Sequence, residues 1–320
     1  MRAIIAGTGG YLPERALSNE ELARAYGLDT SDEWIRERTG IRQRHIAAEG
    51  ETASSMGAAA ALRALEQAGI AAAEVDAVIV ATSTPDSAFP STAALIQAAI
   101  GAPSGIAFDL SAACTGFVYA LGMAESLMRG GQARTVLVIG TEVYSRIVDW
   151  SDRGTCVLFG DGAGAAVLRA SEDADRGLLS WHLHADGRFA DILHVEGGAG
   201  STGGPGLLRM AGREVFRHAV SKLATVVDEA LTANGLDRSD VQWLVPHQAN
   251  LRIIEAMGKK LGLPRERVVV TVDRHANTSA ASIPLALAEA TRDGRIARGD
   301  LVLMEAIGGG LTWGAALARY

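Results

Sequence analysis

The sequence predicts an α/β protein made of two similar halves, in which buried strands lie between helices. Continuous apolar runs bounded by Gly, Asp or Pro recur along the chain without alternating with polar residues, which is typical of strands covered on both faces. Ala-rich segments of helical length separate these runs. In addition, two runs of the first half have counterparts in the second half at one constant separation.

The elements follow from these two patterns. The predicted strands are Ala3–Ala6, Val75–Ala81, Ile106–Leu110, Thr135–Ile139, Ala163–Leu168, Val241–Val245, Val268–Val272, Leu301–Ala306 and Leu311–Ala318. The predicted helices are Thr52–Gln67, Cys114–Arg129, Gly212–Ala233, Leu251–Leu261 and Ala280–Asp293. Strands that alternate with helices in this way indicate βαβ units.

The constant separation indicates a duplicated unit. V-D-A-V-I-V-A, which starts at Val75, has a counterpart in V-Q-W-L-V-P at Val241, 166 residues later. T-V-L-V-I-G has one in D-L-V-L-M-E at the same separation. Under this mapping Phe108 corresponds to Arg274. We therefore predict a first half over residues 1–170 and a second half over 171–320, the alternative being chance spacing in a regular α/β protein.

Composition narrows the function. A chain of 320 residues can form one large domain or two fused ones. The net charge of −7 argues against nucleic-acid binding. Two cysteines provide no disulfide framework, which is typical of the cytosol. The N-terminal apolar run is too short for a signal peptide, and no uncharged apolar stretch reaches the roughly 18 residues of a membrane span. The expectation is a soluble cytoplasmic protein.

Three reactive side chains follow strand-like runs. They are Cys114 in F-D-L-S-A-A-C-T-G-F, His247 in W-L-V-P-H-Q-A-N and Asn277 in V-V-V-T-V-D-R-H-A-N-T-S. Since open α/β sheets bind ligands beyond the carboxyl ends of their strands, we expect the three to converge in one pocket. A thiol nucleophile and two hydrogen-bond donors that hold an oxyanion or enolate are what thioester chemistry needs.

Each of these residues has a functional and a structural interpretation. Cys114 opens a predicted helix whose N-terminus is expected to lower the pKa of the thiol, although a lone Cys is often a packed small residue. His247 can donate to an oxyanion or accept a proton. Asn277 offers a neutral donor for an enolate but also suits a turn or helix cap. Cys156, which heads an apolar run, is interpreted as inert core.

Glycine-rich segments add an oxyanion hole and exclude common cofactors. Gly308–Gly310 follow a buried strand, and their backbone N–H groups could complete an oxyanion hole with that of Cys114. The phosphate-loop motif is missing, and G-T-G-G at Gly7 lacks the helix of a dinucleotide site. Gly198–Gly206 is predicted to be a flexible loop that covers or lines the site.

A metal site is not predicted. His182 and His184 share a strand face and, with His194, offer three imidazoles, but no carboxylate or Cys cluster accompanies them. His275, two residues before Asn277, is assigned a structural role.

Longer runs around these residues carry a family resemblance over essentially the whole chain. They include L-D-T-S-D-E-W-I-R-E-R-T-G-I-R-Q-R-H-I, D-W-S-D-R-G-T, L-F-G-D-G-A-G-A and G-G-G-L-T-W-G. With the Cys–His–Asn order, the chain resembles the β-ketoacyl-acyl-carrier-protein synthase III family, the condensing enzymes that start bacterial fatty acid synthesis. Thiolases have a second Cys, elongating condensing enzymes have a second His in place of Asn277, and plant-type polyketide synthases are longer.

The resemblance implies a thiolase-like fold with two α/β halves in five layers, αβαβα, working as a homodimer. It implies that Cys114 takes an acyl group from acyl-CoA, acetyl-CoA above all. His247 and Asn277 then stabilise the enolate formed by decarboxylation of malonyl-acyl-carrier protein. Gly309 matches the second donor of the oxyanion hole. The substrates are coenzyme A thioesters and acyl-carrier protein, and no cofactor or metal is implied.

The resemblance also assigns residues outside the catalytic group. Trp34 and Arg153 match the positions that sandwich the CoA adenine. The neighbouring CoA or pantetheine contacts match Thr30, Arg38, Gly212 and Asn250. The basic docking patch for the carrier protein matches Arg217, Arg252, Lys259 and Lys260, whose alternative is an ordinary solvated helix face. Phe89 matches a loop residue that crosses the dimer interface into the partner's acyl pocket.

Because of two departures from the usual family pattern, the sequence does not determine which acyl group the enzyme takes from acyl-CoA as its primer. Cys156 replaces a branched or small residue, and the Gly198–Gly206 loop is unusually rich in glycine. Two rival functions remain. One is a related condensing enzyme of polyketide, quinolone-signal or other secondary metabolism that takes a different primer or extender. The other is a catalytically silent scaffold that binds acyl groups or partners.

Overall fold

The structure of the chain, a computed structural model, describes residues 2–173 and 175–320, except for the side chain of Pro205. The strands are β1 (Arg2–Tyr11), β2 (Ala16–Ser18), β3 (Gln43–His45), β4 (Ala77–Ala81), β5 (Ile106–Leu110), β6 (Thr135–Glu142), β7 (Gly162–Ser171), β8 (Gly177–Ala185), β9 (Leu193–Gly198), β10 (Gly204–Met210), β11 (Trp243–Pro246), β12 (Leu301–Gly308) and β13 (Thr312–Arg319). The helices are α1 (Asn19–Tyr26), α2 (Asp32–Thr39), α3 (Ala53–Ala68), α4 (Thr92–Ala99), α5 (Gly116–Arg129), α6 (Arg153–Cys156), α7 (Gly212–Ala233), α8 (Leu251–Leu261), α9 (Val272–His275) and α10 (Ser282–Arg292).

Two mixed sheets form the centre of the molecule. The first has the order β1-β7-β6-β4-β5, and the second has the order β8-β13-β12-β11. In the first sheet β4, β5 and β6 are parallel and β7 is antiparallel to β6. In the second sheet β11 and β12 are parallel and β13 is antiparallel to β12. The two sheets therefore share one pattern of strand directions.

The separation of 166 residues recurs in the strand positions. The first residues of β4 and β11 are Ala77 and Trp243, and those of β6 and β12 are Thr135 and Leu301. Both pairs differ by 166 residues, as the apolar runs do. The division of the chain at residue 170 stays a prediction, and it falls at the end of β7.

The predicted correspondence between Phe108 and Arg274 is wrong. Val78 pairs with Ala107 in the first sheet, whereas its counterpart Leu244 pairs with Val268 in the second. The residue equivalent to Phe108 is therefore Val269, because the connection in the second half is five residues shorter.

The predicted strand Val268–Val272 is also wrong. Val268 forms only an isolated bridge with Leu244. The backbone N–H groups of Thr271 and Val272 donate to the side-chain oxygen of Gln248, at 2.8 and 3.1 Å, instead of to a neighbouring strand. The chain leaves the sheet at this point and begins α9. The other predicted strands are confirmed, with ends shifted by a few residues.

Helices cover both sheets and fill the space between them, as the predicted five-layer fold requires. α3 packs on β1, β6 and β7 at the outer face of the first sheet. α5 contacts strands of both sheets, and α10 contacts β1, β7 and β11, so these two helices form the central layer. α7 packs on β8, β12 and β13 at the outer face of the second sheet.

Small residues allow this close layering. Gly140 of β6 lies so near the start of the central layer that an added Cβ would be 2.1 Å from the carbonyl oxygen of Ala280. No helix in the described part of the chain combines the length and the apolar composition that crossing a lipid bilayer requires.

Candidate active site

Cys114 lies in a tight turn between β5 and α5. The turn is a single 3-10 helix, Ala113–Thr115. Ala113 has a φ of 45°, in the left-handed region that Ala rarely adopts. The end of β12 packs directly against this turn, since a Cβ added to Gly308 would lie 2.6 Å from the backbone nitrogen of Cys114. Only glycine at position 308 permits this approach.

Hydrogen bonds join the turn of Cys114 to the glycine run after β12. The Thr115 hydroxyl donates to the carbonyl oxygen of Thr312 at 3.0 Å, and the Thr312 hydroxyl donates to that of Ala112 at 2.9 Å. The carbonyl oxygen of Gly309 accepts from the same Thr312 hydroxyl at 3.3 Å, and Gly309 lines the same cavity as Cys114. The glycine run is thereby held beside the nucleophile, as the predicted oxyanion hole requires.

His247 follows β11 and is held on both sides. Its backbone N–H donates to the carbonyl oxygen of Glu305 at 2.8 Å. Its ring Nδ1 lies 2.7 Å from the hydroxyl oxygen of Ser282, the first residue of α10. The side chain is 5% exposed, and burial lowers its pKa to about 3. The imidazole is therefore neutral at physiological pH.

Asn277 precedes α10 in a segment tied to residues 158–160. Its N–H donates to the carbonyl oxygen of Leu158 at 2.9 Å, and its own carbonyl accepts from the N–H of Gly160 at 3.1 Å. The side-chain oxygen accepts from the N–H of Ser279 at 2.9 Å. Because the oxygen is occupied, the amide NH2 group is the part left to donate into the cavity.

The three residues meet in one cavity of about 750 Å³. Cys114, His247, Asn277 and Gly309 all line it. They come from the ends of β5, β11 and β12 and from the segment before α10, so both sheets contribute. The arrangement supplies a nucleophile, two neutral side-chain donors and a glycine-rich turn.

The Cys114 thiol is protonated at neutral pH, contrary to the expectation of a lowered pKa. The pKa of Cys114 is raised to about 12, chiefly by burial and in smaller part by the negative charge of Glu142, although the Ser279 hydroxyl acts in the opposite direction. Cys114 is 5% exposed. Loss of hydration therefore outweighs the favourable field of the helix N-terminus.

Glu142 is a buried carboxyl group, close enough to Cys114 to shift its pKa, that the sequence analysis did not single out. It ends β6, and its carboxylate accepts from the Thr84 hydroxyl at 2.6 Å and from the Ser83 N–H at 3.0 Å. Burial raises its pKa to about 7. The strand-end position that identified Cys114 and His247 also applies to Glu142, so the signal was present.

Aromatic rings line the cavity near Cys114. Tyr144 stacks on Phe159 with the ring centroids 5.0 Å apart, and both rings line the cavity. Burial raises the pKa of the Tyr144 phenol, and the negative charge of Glu142 adds to this effect. An acyl group on the Cys114 sulfur would therefore meet an aromatic wall.

The mouth of the cavity is its solvent-exposed end, lined by Arg38, Gly212, Arg213, Phe216 and Arg252. Gly212 and Arg213 begin α7, and Arg252 lies in the first turn of α8. The positive ends of two helices thus face the mouth. The charged lining of the described cavity consists of three arginines and Asp152.

Trp34 lines the cavity, and two arginine side chains stack on its ring. The guanidinium carbons of Arg38 and Arg153 lie 4.7 and 4.8 Å from its centroid. Arg153 touches the site through this stacking and is not itself a lining residue. Thr30 lies outside the lining as well.

Asn250 is also the N-cap of α8. Its side-chain oxygen accepts from the N–H of Arg252 at 2.9 Å, and its NH2 group donates to the carbonyl oxygen of Arg38 at 3.1 Å. It lines the cavity while fastening α8 to α2.

The other predicted docking residues lie outside the cavity lining. Arg217 pairs with Glu214 at 2.5 Å on α7. Lys259 and Lys260 lie in the last turn of α8, which is roughly 11 Å along the helix from Arg252 because each residue adds about 1.5 Å. Of the four, Arg252 alone lines the mouth.

Phe89 lies on the loop between β4 and α4 and is 86% exposed. Asp86 holds this loop to α3 by accepting from the Ser54 N–H at 2.8 Å. The loop therefore presents a large apolar side chain to solvent from a fixed position.

The structure places the two departures that left the primer undetermined, Cys156 and the described part of the Gly198–Gly206 loop, outside the cavity lining. Cys156 is fully buried and does not line the cavity, although its neighbours Thr155 and Val157 do. The predicted Gly198–Gly206 loop is largely the turn and start of the hairpin β9–β10. Lining side chains come from the strand residues around it, such as Val195 and Leu208, and from none of the described residues of that loop.

His182, His184 and His275 contact carboxylates. His182 and His184 contact the two carboxylate oxygens of Glu229, at 3.1 and 2.6 Å. His194 lines the cavity instead of joining them. Buried His275 lies 3.5 Å from Glu289.

Comparison with known proteins agrees with this geometry. Residues 108–187 match the family model described as 3-oxoacyl-[acyl-carrier-protein (ACP)] synthase III, and residues 231–320 match the model of its C-terminal part. The β-ketoacyl-[acyl-carrier-protein] synthase III of Acidiphilium cryptum is 67% identical over 100% of this chain and 99% of that protein. The chain belongs to the β-ketoacyl-[acyl-carrier-protein] synthase III family. It is a condensing acyltransferase with the thiolase-like fold.

Further members of the synthase III family extend the similarity. The family member of Granulibacter bethesdensis is 64% identical over 99% of each chain. The crystal structure of 3-oxoacyl-[acyl-carrier-protein] synthase III from Aquifex aeolicus superposes with a TM-score of 0.94. It is 49% identical and covers 99% of this chain and 100% of that one.

Proposed function

We propose that the enzyme joins a short acyl group from acyl-CoA, with acetyl-CoA as the first substrate to test, to malonyl-acyl-carrier protein. The products are β-ketoacyl-carrier protein, CoA and CO2, and the step initiates fatty acid synthesis. The observation that carries this proposal is that Cys114, His247, Asn277 and Gly309 line one cavity. Family membership makes this reaction the natural one for that arrangement.

In the first half-reaction the Cys114 sulfur attacks the acyl-CoA carbonyl. A C–S bond forms to the enzyme, the bond to CoA breaks, and the thiol proton ends on the CoA sulfur. The N–H groups of Cys114 and Gly309 stabilise the oxyanion in this scheme, since Gly308 packs within contact distance of the Cys114 backbone.

In the second half-reaction the malonyl thioester loses CO2. The enolate that forms attacks the acyl carbon on Cys114, making a C–C bond and breaking the C–S bond to the enzyme. Cys114 leaves as a thiolate and takes up a proton from solvent. His247 and Asn277 hold the enolate oxygen. Both are uncharged donors, because burial keeps the imidazole neutral and an amide does not titrate. Uncharged donors stabilise the enolate without protonating its carbon early.

The mouth suits an anionic thioester arm. Arg38, Arg213 and Arg252 line it, and two helix N-termini face it. We assign the CoA adenine to Trp34 and Arg153. To hold a base between them, the Trp34 ring and the Arg153 guanidinium must be roughly 7 Å apart, which is two van der Waals contacts. They are 4.8 Å apart in the structure. The Arg153 guanidinium therefore moves away from the ring when CoA binds. Thr30, Gly212 and Asn250 complete this assignment.

The carrier protein is proposed to dock at the same mouth. Arg252 is the central contact, and Arg217, Lys259 and Lys260 extend a basic surface along α7 and α8. On a chain of net charge −7, such a surface steers an acidic partner towards the cavity.

We further propose a homodimer in the cytoplasm that needs no cofactor. The fixed, exposed side chain of Phe89 supports the dimer, because an apolar ring of this size on a tethered loop is stabilised by a second copy.

The division of labour is tested with three variants. Cys114→Ala should lose acylation by acetyl-CoA, followed by intact mass. His247→Ala and Asn277→Ala should keep most acylation but lose malonyl-thioester decarboxylation by roughly 100-fold or more. Equal loss of both steps in the latter two variants would contradict the assignment. Offering malonyl-CoA in place of malonyl-carrier protein separates this function from its relatives in secondary metabolism.

A further inference from the structure

The hydrogen bonds around His247 decide which ring nitrogen carries the proton. The described residues provide Ser282 Oγ with two partners, Nδ1 of His247 at 2.7 Å and the backbone N–H of Gln248 at 3.3 Å. The backbone N–H is always a donor, so the hydroxyl oxygen accepts from Gln248. The contact with Nδ1 can run in either direction.

Burial distinguishes the two directions. If Nδ1–H donated to Ser282, the hydroxyl proton would have no acceptor among the described residues. Ser282 is 1% exposed, and a buried donor without an acceptor is destabilising because it has lost its hydrogen bonds to water. If the hydroxyl donates to Nδ1, every polar atom of this contact is satisfied. The ring proton is then on Nε2.

The backbone that presents Gln248 to Ser282 is rigid. The Gln248 side chain donates to the carbonyl oxygens of Pro246 at 2.8 Å and Val269 at 3.0 Å. Its oxygen accepts from the N–H groups of Thr271 and Val272. Gln248 is fully buried. The orientation of the Ser282 hydroxyl is therefore set by groups that cannot rearrange easily.

We infer that Ser282 is a positioning residue, which fixes His247 as the tautomer protonated on Nε2. The imidazole then presents an N–H to the cavity and acts as a hydrogen-bond donor, not as a base. Asn277 is also held by a local hydrogen bond, because its side-chain oxygen accepts from the backbone N–H of Ser279. Ser282 and Ser279 thus orient the two donors before substrate arrives. The kinetic part of this inference rests on the proposed function.

The tautomer is measured directly by NMR of the full-length enzyme labelled with 15N-histidine. The His247 signals are assigned by their loss in His247→Gln. We expect the wild-type ring to show a protonated Nε2 and an unprotonated Nδ1 between pH 6 and 8. Ser282→Ala should show both tautomers. Ser282→Thr, which restores a hydroxyl, should return the ring to the wild-type form.

The kinetic readout separates positioning from structure. Ser282→Ala should slow malonyl-thioester decarboxylation by about 10-fold or more in kcat, with little change in KM or in Cys114 acylation. Ser126→Ala is the matched control, since Ser126 is a helix serine of α5 that donates to the Gly122 carbonyl. It should change neither step.

The outcomes are distinguishable. A wild-type ring protonated on Nδ1, or a Ser282→Ala enzyme with an unchanged tautomer and decarboxylation rate, would overturn the inference. If the wild-type enzyme decarboxylated no malonyl thioester while the ring remained protonated on Nε2, the proposed function would fail and the tautomer assignment would stand.

Discussion

Cys114, His247 and Asn277 enter the cavity as three uncharged groups. Burial keeps the thiol protonated and the imidazole unprotonated, and the amide does not titrate. Glu142 is close enough to Cys114 to raise the pKa of the thiol, and its own pKa is about 7, so it changes charge near neutral pH. The charge state around the nucleophile therefore depends on a carboxyl group that ends a neighbouring strand.

Removing the charge of Glu142 should make Cys114 more reactive. Ionised Glu142 raises the pKa of the thiol, so Glu142→Gln lowers it. At pH 8 we expect alkylation of Cys114 by iodoacetamide to be faster by several-fold, on the order of 3- to 10-fold. At pH 6 the difference should shrink, because wild-type Glu142 is then mostly protonated. Intact mass over time gives the rates.

The matched control is Glu305→Gln. Glu305 is a second fully buried carboxyl group, but it is not among the groups that shift the pKa of Cys114. Its removal should leave the alkylation rate unchanged. A Glu142→Gln enzyme that alkylates at the wild-type rate or more slowly at pH 8 would disprove the electrostatic link.

The sequence predicted the reactive residues better than their surroundings. Cys114, His247 and Asn277 were visible because each follows an apolar run, and the structure brings them to one cavity. The roles of Ser279 and Ser282 were not visible, because a serine near a helix start has many ordinary functions. The pKa of Cys114 was expected in the wrong direction, since the sequence does not show how completely a thiol is buried.

At the scale of elements, the end of β12 positions the nucleophile. Gly308→Ala would place a Cβ 2.6 Å from the Cys114 nitrogen, so the turn of Cys114 or the strand end must move. A displacement of about 1 Å at a reacting group costs roughly 100-fold in rate. We expect a loss of this size in Cys114 acylation by acetyl-CoA, measured by intact mass with folding checked by circular dichroism.

Gly187→Ala is the control for this prediction. A Cβ at Gly187 meets no atom within 4 Å, and its φ is not in the left-handed region. This variant should acylate like the wild type. Normal acylation of Gly308→Ala would contradict the prediction, because it would show that the end of β12 can move without displacing Cys114.

Some elements were predicted with correct bounds, and others failed for a physical reason. Gly212–Ala233 and Leu251–Leu261 are helices as expected, because their apolar periodicity is strong. Val268–Val272 has the composition of a strand but ends as an isolated bridge. The side chain of Gln248 takes the hydrogen bonds that a strand would use. An apolar run cannot reveal such a competing partner.

At the scale of the whole molecule, the burial of ionisable groups in both sheets makes stability depend on pH. Glu142 ends β6, and Glu305 lies in β12 with both carboxyl oxygens unpartnered among the described residues. Burial raises the pKa of Glu305 to about 8 and that of Glu142 to about 7. His247 is shifted in the opposite sense, to about 3.

The sign of each effect follows from proton binding. Above the ordinary glutamate pKa of 4.5, an unfolded chain loses these protons while the folded chain keeps them. The unfolding free energy therefore falls as pH rises, up to about pH 7 for Glu142 and about pH 8 for Glu305, by at most about 1.4 kcal/mol per pH unit for each group. Below pH 6.5 His247 has the opposite effect, because its imidazole binds a proton in the unfolded chain but not in the folded one. There it makes the unfolding free energy rise with pH. Between about pH 6.5 and 8 the effect of the buried carboxyl groups on the unfolding free energy is not opposed by that of His247.

We expect wild-type stability to decrease from pH 6.5 to 8 and Glu305→Gln to remove much of that decrease, since glutamine cannot ionise. Urea unfolding at both pH values measures the free energies. Glu66→Gln, on the exposed face of α3, is the control and should keep the wild-type slope. If Glu305→Gln followed the same slope as the control, the carboxyl group of Glu305 would ionise freely in the folded protein, and its burial in β12 would not govern the stability of the sheet.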